Sequence, residues 1–260
     1  MPIPKDIACE IRLLIFDLDG TLADTKLDLA LSVNAMRQRM ALPPLPLDVI
    51  TAYIGHGVTN LVRRALGEQS TEESVQQGLA LFLEHYRHHL LDNTIVYPGV
   101  ADALKEFQNR QLAVLTNKSE DFSRAILAGL GIARYFAFIF GGDSFPQKKP
   151  DPVGVQKLMS ETGASTEQTL MVGDSDTDVL TGRNAGVWTC GVTYGFGAPT
   201  LASVPPDLLI GDLRELPALL ENSRQKAVGS EQEPATRTSR GRSAFPPLRS
   251  QFVFYPDSFS

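Results

Sequence analysis

The sequence predicts an α/β protein built on a doubly wound parallel sheet. Short, almost continuous apolar runs alternate along the chain with segments in which apolar residues recur at helical spacing. Runs that are apolar at nearly every position are typical of parallel strands, because helices bury both faces of such a sheet. Alternating strands and helices of this kind predict a doubly wound sheet.

Six apolar runs are predicted as strands, and four segments between them as helices. The first run ends in Asp17–Thr21, whose residues are typical of a loop. The predicted strands are Ile11–Phe16, Leu112–Thr116, Ala137–Phe140, Thr169–Val172, Val187–Val192 and Leu208–Ile210. The predicted helices are Gly99–Arg110, Glu120–Gly129, Pro152–Thr162 and Asp176–Ala185.

One stretch interrupts the alternation, because residues from about Asp24 to Leu91 contain no run that predicts a strand. Apolar residues recur there at helical spacing, and three prolines (Pro43, Pro44 and Pro46) separate the first two helical segments. This pattern predicts a small domain of roughly four helices inserted after the first strand. We therefore expect an α/β core of residues 1–22 and 92–221 and a helical domain of residues 23–91.

Residues 222–260 differ from the rest of the chain in being rich in Ser, Arg, Pro, Gln and Gly. Such a segment has too little apolar surface to offset the entropy lost on folding, so disorder is expected. An aromatic patch at Gln251–Tyr255 could dock on a surface, but an extension without function is favoured.

The composition argues against several classes of partner. The net charge of −6 disfavours a nucleic-acid partner, and a phosphate substrate would need local cations. The chain has no run of about 18 apolar residues, so no membrane span is expected. Two cysteines are too few for a disulfide framework, which predicts a cytoplasmic protein.

Acidic residues follow two of the predicted strands. Asp17 and Asp19 come directly after the first strand, and Asp174 follows the run Thr169–Val172. Asp178 lies four residues later, about one helical turn away, and can face the same site. Ligands bind at the carboxyl ends of strands in open α/β sheets, and a hard dication needs oxygen ligands. These positions predict a metal site, although turns and an acidic helix start would explain some of them.

Two polar segments follow other strands and could contact a phosphate. Thr116 and Asn117 offer a hydroxyl and backbone N–H groups, which suit a phosphoryl oxygen. Lys149 lies in a loop before Pro150 and could supply positive charge, although a solvated charged loop would have the same composition. With the acidic residues, these groups provide the nucleophile, metal ligands, phosphate donors and cation that phosphoryl transfer requires.

The two acidic and two polar segments form four motifs. In their order along the chain, they resemble the haloacid dehalogenase superfamily of phosphatases over residues 12–220. Within that superfamily the chain is similar to the phosphoglycolate phosphatase group. This second resemblance is carried by Phe16–Leu22, Tyr53–Gly57, Tyr97–Val100, Leu115–Lys118 and Lys149–Pro152. The resemblance implies a Rossmann-like core with a small helical cap, and a Mg²⁺-dependent phosphatase that forms an aspartyl phosphate.

The resemblance also implies a role for each acidic residue of the motifs. Asp17 would be the nucleophile, and Asp19 would protonate the leaving oxygen and then activate water. The Asp17 and Asp174 carboxylates and the backbone carbonyl of Asp19 would bind Mg²⁺. Dehalogenases of the superfamily lack an acid at the position of Asp19, so its presence favours phosphate chemistry.

Other matching residues would hold the phosphoryl group. The resemblance assigns this role to Thr116, Asn117 and Lys149. Lys149 is preferred to Lys148 because the lysine of the family directly precedes a proline. Asp178 would orient Lys149 or a water on the metal.

The cap is expected to select the substrate and to exclude water. Gly55 and Gly57 permit close backbone approach to a ligand, and His56 between them could contact a substrate carboxylate. Arg64 could make the same contact. The competing interpretations are a helix-start turn for the glycine segment and a surface ion pair for Arg64.

The sequence therefore predicts a phosphomonoester hydrolase for a small-molecule phosphate, with 2-phosphoglycolate as the first substrate to test. Relatives with these motifs act on other sugar phosphates, nucleotides or pyrophosphate, and a phosphomutase similar to β-phosphoglucomutase is another alternative. A non-catalytic, phosphate-binding regulatory protein is disfavoured, because Asp17, Asp19, Thr116, Lys149 and Asp174 are all present. A monomer or a homodimer is expected.

Overall fold

The computed structural model describes residues 11–220, and a six-stranded parallel sheet forms its centre. Two further strands, β2 and β3, form a separate antiparallel pair. The strands are β1 (Leu13–Phe16), β2 (Ala23–Asp24), β3 (Ile95–Val96), β4 (Gln111–Leu115), β5 (Phe138–Phe140), β6 (Thr169–Gly173), β7 (Trp188–Val192) and β8 (Leu208–Ile210). The large sheet has the order β5-β4-β1-β6-β7-β8.

Helices of the core cover both faces of the large sheet. The α-helices of the described residues are α1 (Lys26–Arg39), α2 (Leu47–Thr51), α3 (Val58–Leu66), α4 (Glu72–His89), α5 (Val100–Glu106), α6 (Glu120–Gly129), α7 (Val153–Thr162) and α8 (Asp176–Ala185). Side chains of β1 alternate between two hydrophobic clusters: Leu14 and Phe16 belong to one, and Leu13 and Ile15 belong to the other. The predicted doubly wound α/β architecture is therefore confirmed.

The strand β1 lies between β4 and β6, and this position determines where the site forms. Phe16, the last residue of β1, is opposite Val114 in β4 and Val172 in β6. The three strands are parallel, so the loops that follow them open at the same edge of the sheet. Ligands bind at this edge in open α/β sheets.

The predicted elements agree closely with the structure in the sheet and less closely at one helix. All six predicted sheet strands are present, with ends shifted by two residues at most. The predicted helix Gly99–Arg110 is wrong at its end, because α5 stops at Glu106 and the Arg110 N–H donates to the Phe107 carbonyl in a turn. The sequence gives no sign of β2 and β3, because two residues are too few to show a periodicity.

The helices α1–α4 occupy the chain between β2 and β3, where inserted helices were predicted. Their division from the core at residues 23–91 stays a prediction. None of the helices within residues 11–220 is both long and apolar enough to cross a membrane. The predicted tail at residues 222–260 lies outside the described part of the chain.

Asp28, in the first turn of α1, is buried and binds the segment that leads back to the core through β3. Its two carboxylate oxygens accept hydrogen bonds from the backbone N–H and the side-chain amide of Asn93, at 2.8–3.0 Å. They also accept bonds from the backbone N–H and the hydroxyl of Thr94, at 2.8 and 2.7 Å. Asp28 therefore joins the two chain segments that connect α1–α4 to the sheet.

Replacing Asp28 by alanine is expected to lower the free energy of unfolding by about 2–4 kcal/mol, because buried donors of Asn93 and Thr94 lose their acceptors. Urea denaturation monitored by circular dichroism measures this change. Asp102→Ala is a matched control on the surface, where its exposed ion pair with Lys105 contributes about 0.5 kcal/mol or less. Equal stability of the two variants would contradict the role of Asp28.

Candidate active site

Three loops that follow adjacent strands bring the predicted polar residues together. Asp17 follows β1, Thr116 follows β4 and Asp174 follows β6. The ladder of backbone bonds continues past two of these strands. The Asp17 N–H donates to the Val172 carbonyl at 2.9 Å, and the Thr116 N–H donates to the Phe140 carbonyl at 3.1 Å. The sheet itself therefore fixes where Asp17 and Thr116 lie.

Three buried carboxylates form a cluster at this edge. Oxygen atoms of Asp17, Asp174 and Asp178 all lie within 4.8 Å of one another. Burial is the main cause that raises the pKa of Asp17 to about 6, with Lys149 opposing it and Asp178 adding to it. Burial, followed by repulsion from Asp178 and Asp17, raises the pKa of Asp174 well above its ordinary value. A cation bound here would relieve this repulsion.

Lys149 supplies positive charge to the cluster. Its ammonium lies 2.8 Å from Asp17 Oδ1 and 2.6 Å from Asp178 Oδ1, and its side chain is 3% exposed. Burial alone would lower the pKa of Lys149, but Asp17 and Asp178 raise it above its ordinary value, so the ammonium stays charged. Lys148, its neighbour, is exposed. The lysine directly before the proline is thus the one that reaches the acids.

Asp178 is held in place by the start of its own helix. Its Oδ2 accepts hydrogen bonds from the backbone N–H of Ser175 at 3.1 Å and from the Ser175 hydroxyl at 2.7 Å. The capping box at the start of α8 is completed by the Ser175 side chain, which accepts from the backbone of Asp178. The other oxygen, Oδ1, is left to bind Lys149. A capping residue therefore also orients the buried cation.

The carboxylate cluster fits a hard metal ion. Asp17 Oδ1 is buried and accepts no hydrogen bond with good geometry from the described residues, although the Lys149 ammonium is near it. Asp174 is fixed by the Gly197 N–H, which donates to its Oδ2 at 2.7 Å. Gly20 has φ +88°, and a side chain there would collide with the Asp174 carboxylate. A buried carboxylate beside a second, fixed carboxylate is an arrangement that could bind a metal.

Asp19 is half-buried and lies apart from the three clustered acids. The Thr25 hydroxyl donates to its Oδ1 at 2.7 Å, and the Lys118 ammonium lies 3.2 Å from its Oδ2. Both oxygens therefore have a partner, which fixes the orientation of the carboxyl group. A second carboxyl group with separate partners can transfer protons without joining the cluster.

Thr116 and Asn117 differ in what they can offer a phosphate. The Thr116 hydroxyl oxygen accepts from the Lys118 N–H at 3.3 Å, which leaves its hydrogen available. The Asn117 amide nitrogen donates to the Gly55 carbonyl at 2.9 Å and to the Lys149 carbonyl at 3.1 Å. Because both side-chain donors of Asn117 are taken, a phosphate contact from this residue would come from its backbone.

A cavity lies over these groups and is lined on its other sides mainly by residues of the inserted segment. Asp17, Asp19, Thr116 and Asn117 line its floor, and the backbone of Gly55 and Gly57 forms part of its rim. Its walls carry the apolar side chains of Leu29, Ile54, Val58, Leu61, Phe82 and Phe122. None of these apolar residues was predicted to line a cavity, because helical spacing alone does not distinguish a cavity wall from a core.

Two further cavity residues, Lys118 and Tyr86, were also missed. The Lys118 ammonium donates to the Tyr86 hydroxyl at 2.9 Å. Burial alone would lower the pKa of Lys118, but Asp19 and Tyr86 raise it, so this ammonium is charged. The position of Lys118 directly after Thr116 and Asn117 was a usable signal, whereas nothing in the sequence of α4 marks Tyr86.

The two side chains of residues 23–91 that were predicted to contact the substrate do not line the cavity. His56 is exposed, and its carbonyl accepts from the Asn60 side chain at 2.9 Å. Arg64 is exposed on α3, where it donates to the Ala52 carbonyl at 3.2 Å and lies 4.7 Å from the centre of the Tyr53 ring. The glycine backbone of this segment thus reaches the cavity, and the His56 and Arg64 side chains point elsewhere.

Comparison with known proteins identifies the family of the chain. The family model described as haloacid dehalogenase-like hydrolase matches residues 14–192, which include all the clustered acids and both buried lysines. The chain belongs to this family. The family prediction made from the motifs is confirmed.

Relatives in this hydrolase family share most of their length with the chain. It is 41% identical over 229 residues to a phosphoglycolate phosphatase of Pseudomonas putida, covering 84% of this chain and 82% of the relative. It is 42% identical over 215 residues to phosphoglycolate phosphatase 1 of Pseudomonas aeruginosa, covering 79% and 78%. A crystal structure of a predicted phosphoglycolate phosphatase from Haemophilus somnus 129pt matches with a TM-score of 0.75 and 32% identity, covering 80% of this chain and 96% of that one.

These matches bear on two further predictions. The match to this solved structure, together with the parallel six-stranded sheet, confirms the predicted fold class. The family and its named relatives confirm the predicted enzyme class, a phosphoric monoester hydrolase. An enzyme of this class acts on a small phosphate substrate, which agrees with the cavity.

Proposed function

We propose that this hydrolase is a Mg²⁺-dependent phosphatase that cleaves 2-phosphoglycolate by way of an aspartyl phosphate on Asp17. The observation that carries the proposal is the position of the Lys149 ammonium between Asp17 and Asp178, beside the carboxylate of Asp174. Asp17, Asp174 and the backbone carbonyl of Asp19 are the proposed Mg²⁺ ligands. When bound, Mg²⁺ would neutralise phosphoryl oxygens so that a carboxylate can approach phosphorus.

The side chains of the chain perform the two chemical steps of this proposal. In the first step, the Asp17 carboxylate attacks phosphorus, and the bond from phosphorus to the ester oxygen breaks. Asp19 gives its proton to the leaving oxygen. In the second step, Asp19 takes a proton from water, which attacks the aspartyl phosphate and releases phosphate and free Asp17.

Other groups at the edge of the sheet hold the phosphoryl oxygens during both steps. Lys149 and the Thr116 hydroxyl are the proposed donors, together with the backbone N–H of Asn117. Asp178 keeps Lys149 in position, because its other oxygen is fixed by Ser175. Positioning and charge neutralisation are the main requirements of phosphoryl transfer, so these contacts account for most of the expected rate.

Two observations support 2-phosphoglycolate as the substrate. The relatives in Pseudomonas putida and Pseudomonas aeruginosa are named for this activity. The cavity walls are mainly apolar, so among the lining residues of α1–α4 few groups are available to bind sugar hydroxyls. A short substrate with few hydroxyl groups fits such walls better than a hexose phosphate does.

We propose that residues 23–91 act as a cap over the site. The Gly55 carbonyl accepts a hydrogen bond from Asn117, which follows β4, so the inserted segment and the core are already in contact at the cavity. Closing such a segment over the substrate excludes water while Asp17 attacks.

The proposed function is tested by phosphate release from four esters or anhydrides: 2-phosphoglycolate, glucose 6-phosphate, AMP and pyrophosphate. We expect release that requires Mg²⁺ and stops in EDTA, with the highest kcat/KM for 2-phosphoglycolate. A higher kcat/KM for one of the other compounds would overturn the substrate. A folded protein that releases no phosphate from any of them would overturn the phosphatase itself.

A further inference from the structure

One charged side chain of the cavity, the Lys118 ammonium, has no part in the two proposed chemical steps. Among the described residues that line it, Lys118 is the one with a positively charged side chain, which is 6% exposed. Lys149 lies below the floor, against Asp17 and Asp178. Lys118 is instead beside Asp19, on the side of the cavity where the leaving group must lie if Asp19 protonates it.

Within residues 11–220, Lys118 and Tyr86 have donors to which no partner is assigned. An ammonium has three N–H donors, and Lys118 directs one to the Tyr86 hydroxyl and one toward Asp19. The third is left for a ligand. The Tyr86 hydroxyl accepts from Lys118, so its own hydrogen is also left to donate.

Packing holds the Tyr86 ring rigidly at the cavity. It stacks on Phe82, with ring centres 5.4 Å apart, and meets the edge of Phe122 at 5.2 Å. These aromatic side chains also line the cavity, so the two free donors lie in otherwise apolar surroundings. A charge-assisted hydrogen bond is stronger in such surroundings than in water.

We propose that Lys118 and Tyr86 form a carboxylate-binding subsite that selects phosphate esters whose leaving group carries a carboxylate close to the ester oxygen. This inference rests on the proposed function, because it places the leaving group beside Asp19. Two donors side by side match the two oxygens of a carboxylate. The neighbouring Asp19 would repel a second anion unless Lys118 offset its charge, so this cation makes an anionic leaving group acceptable.

The competing role for Lys118 is to position Asp19 alone. A positioning role would affect every ester equally, because each leaving oxygen needs a proton. A subsite would affect only esters with a carboxylate. Two substrates of similar size separate the roles: 2-phosphoglycolate and 2-hydroxyethyl phosphate, in which an uncharged alcohol replaces the carboxylate.

The variant Lys118→Met is expected to raise KM for 2-phosphoglycolate by about 10- to 100-fold, because a hydrogen bond to a charged group is lost. The ratio of kcat/KM between the two substrates should fall by the same factor. Tyr86→Phe is expected to lower this ratio by about 3- to 10-fold. Lys148→Met, which removes an exposed lysine nearby, is the matched control and should leave the ratio unchanged.

Several results would overturn the subsite. Equal losses on both substrates in Lys118→Met would reduce Lys118 to a positioning residue for Asp19. A wild-type kcat/KM for 2-hydroxyethyl phosphate that matches or exceeds the value for 2-phosphoglycolate would contradict selection for a carboxylate. Inactivity on both esters would instead overturn the proposed function, and the subsite with it.

Inhibition of the wild-type protein tests the subsite independently of whether Lys118→Met folds. Glycolate is expected to inhibit hydrolysis of 2-hydroxyethyl phosphate competitively, because its carboxylate can occupy the subsite. Ethylene glycol, which has no charge, should not inhibit at the same concentration. Equal inhibition by glycolate and ethylene glycol, or inhibition by neither, would contradict a carboxylate subsite.

Discussion

Replacing Asp17 by asparagine is expected to lower kcat by at least about 10⁴-fold for every ester that the wild-type protein hydrolyses. The amide has nearly the same shape as the carboxylate, but its oxygen is uncharged and a poor nucleophile. Rapid acid quenching of a reaction with a ³²P-labelled ester provides a direct measurement. The wild-type protein should retain protein-bound label, and Asp17→Asn should retain none.

The same variant should not lose stability when metal is removed. Burial, opposed by Lys149 and reinforced by Asp178, raises the pKa of Asp17 to about 6. A carboxyl group with a raised pKa in the folded state contributes stability at low pH that is lost as the pH rises through that pKa. At pH 8 in EDTA, Asp17 of the wild-type protein is ionised, so this contribution to stability is lost. The asparagine of the variant is uncharged, so its burial does not disfavour the folded state in this way. The variant should therefore unfold at the same temperature as the wild-type protein or higher.

Asp121→Asn is a suitable control, because this aspartate is exposed in the first turn of α6. Its kcat should stay within about twofold of the wild-type value, as for most surface substitutions. Retention of more than about one hundredth of the wild-type kcat by Asp17→Asn would contradict a nucleophile at this position. Label bound to that variant would contradict it independently.

The sequence was most informative where a short-range pattern determines the outcome. The run before Asp17 is apolar at almost every position, and such a run has few alternatives to a buried parallel strand. Once several such strands are parallel, their carboxyl ends meet at one edge. Asp17, Thr116 and Asp174 could therefore be placed together from their positions after strands alone.

The cavity could not be predicted in the same way, because it depends on how the inserted helices lie over the sheet. Tyr86 is 32 residues from Lys118 in the chain, and only the packing of α4 brings the two together. His56 and Arg64 show the opposite case, because both are in a segment that reaches the cavity and yet both are exposed. A side chain's direction depends on local backbone geometry and packing, which spacing in the sequence does not determine.

Asp178 lies between these two cases. Its spacing from Asp174 predicted that it could face the site, and the helix start offered a competing explanation. The structure combines the two, because one oxygen completes the capping box with Ser175 and the other binds Lys149. The dipole of α8 and the ammonium of Lys149 both favour a negative charge at this position.

Replacing Lys149 by methionine is expected to lower kcat by about 10²–10³-fold, because a positive charge on the phosphoryl oxygens is lost. It should also destabilise the protein in EDTA by about 3–5 kcal/mol, the usual effect of removing one partner from a buried ion pair. Asp17, Asp174 and Asp178 would then lie close together with no cation among them. Thermal unfolding in EDTA and in Mg²⁺, measured on the same preparations, gives the stability change.

The adjacent residue provides the matched control, because Lys148 has the same side chain but is exposed. Lys148→Met should keep kcat within about twofold and stability within about 0.5 kcal/mol. If Asp17 and Asp174 bind Mg²⁺, the metal should restore part of the stability lost in Lys149→Met, so Mg²⁺ should raise its Tm more than that of the wild-type protein. A metal site that shares its acids with Lys149 would be contradicted by either of two results. One is equal changes in kcat and stability in Lys149→Met and Lys148→Met. The other is a Tm of Lys149→Met that does not respond to Mg²⁺.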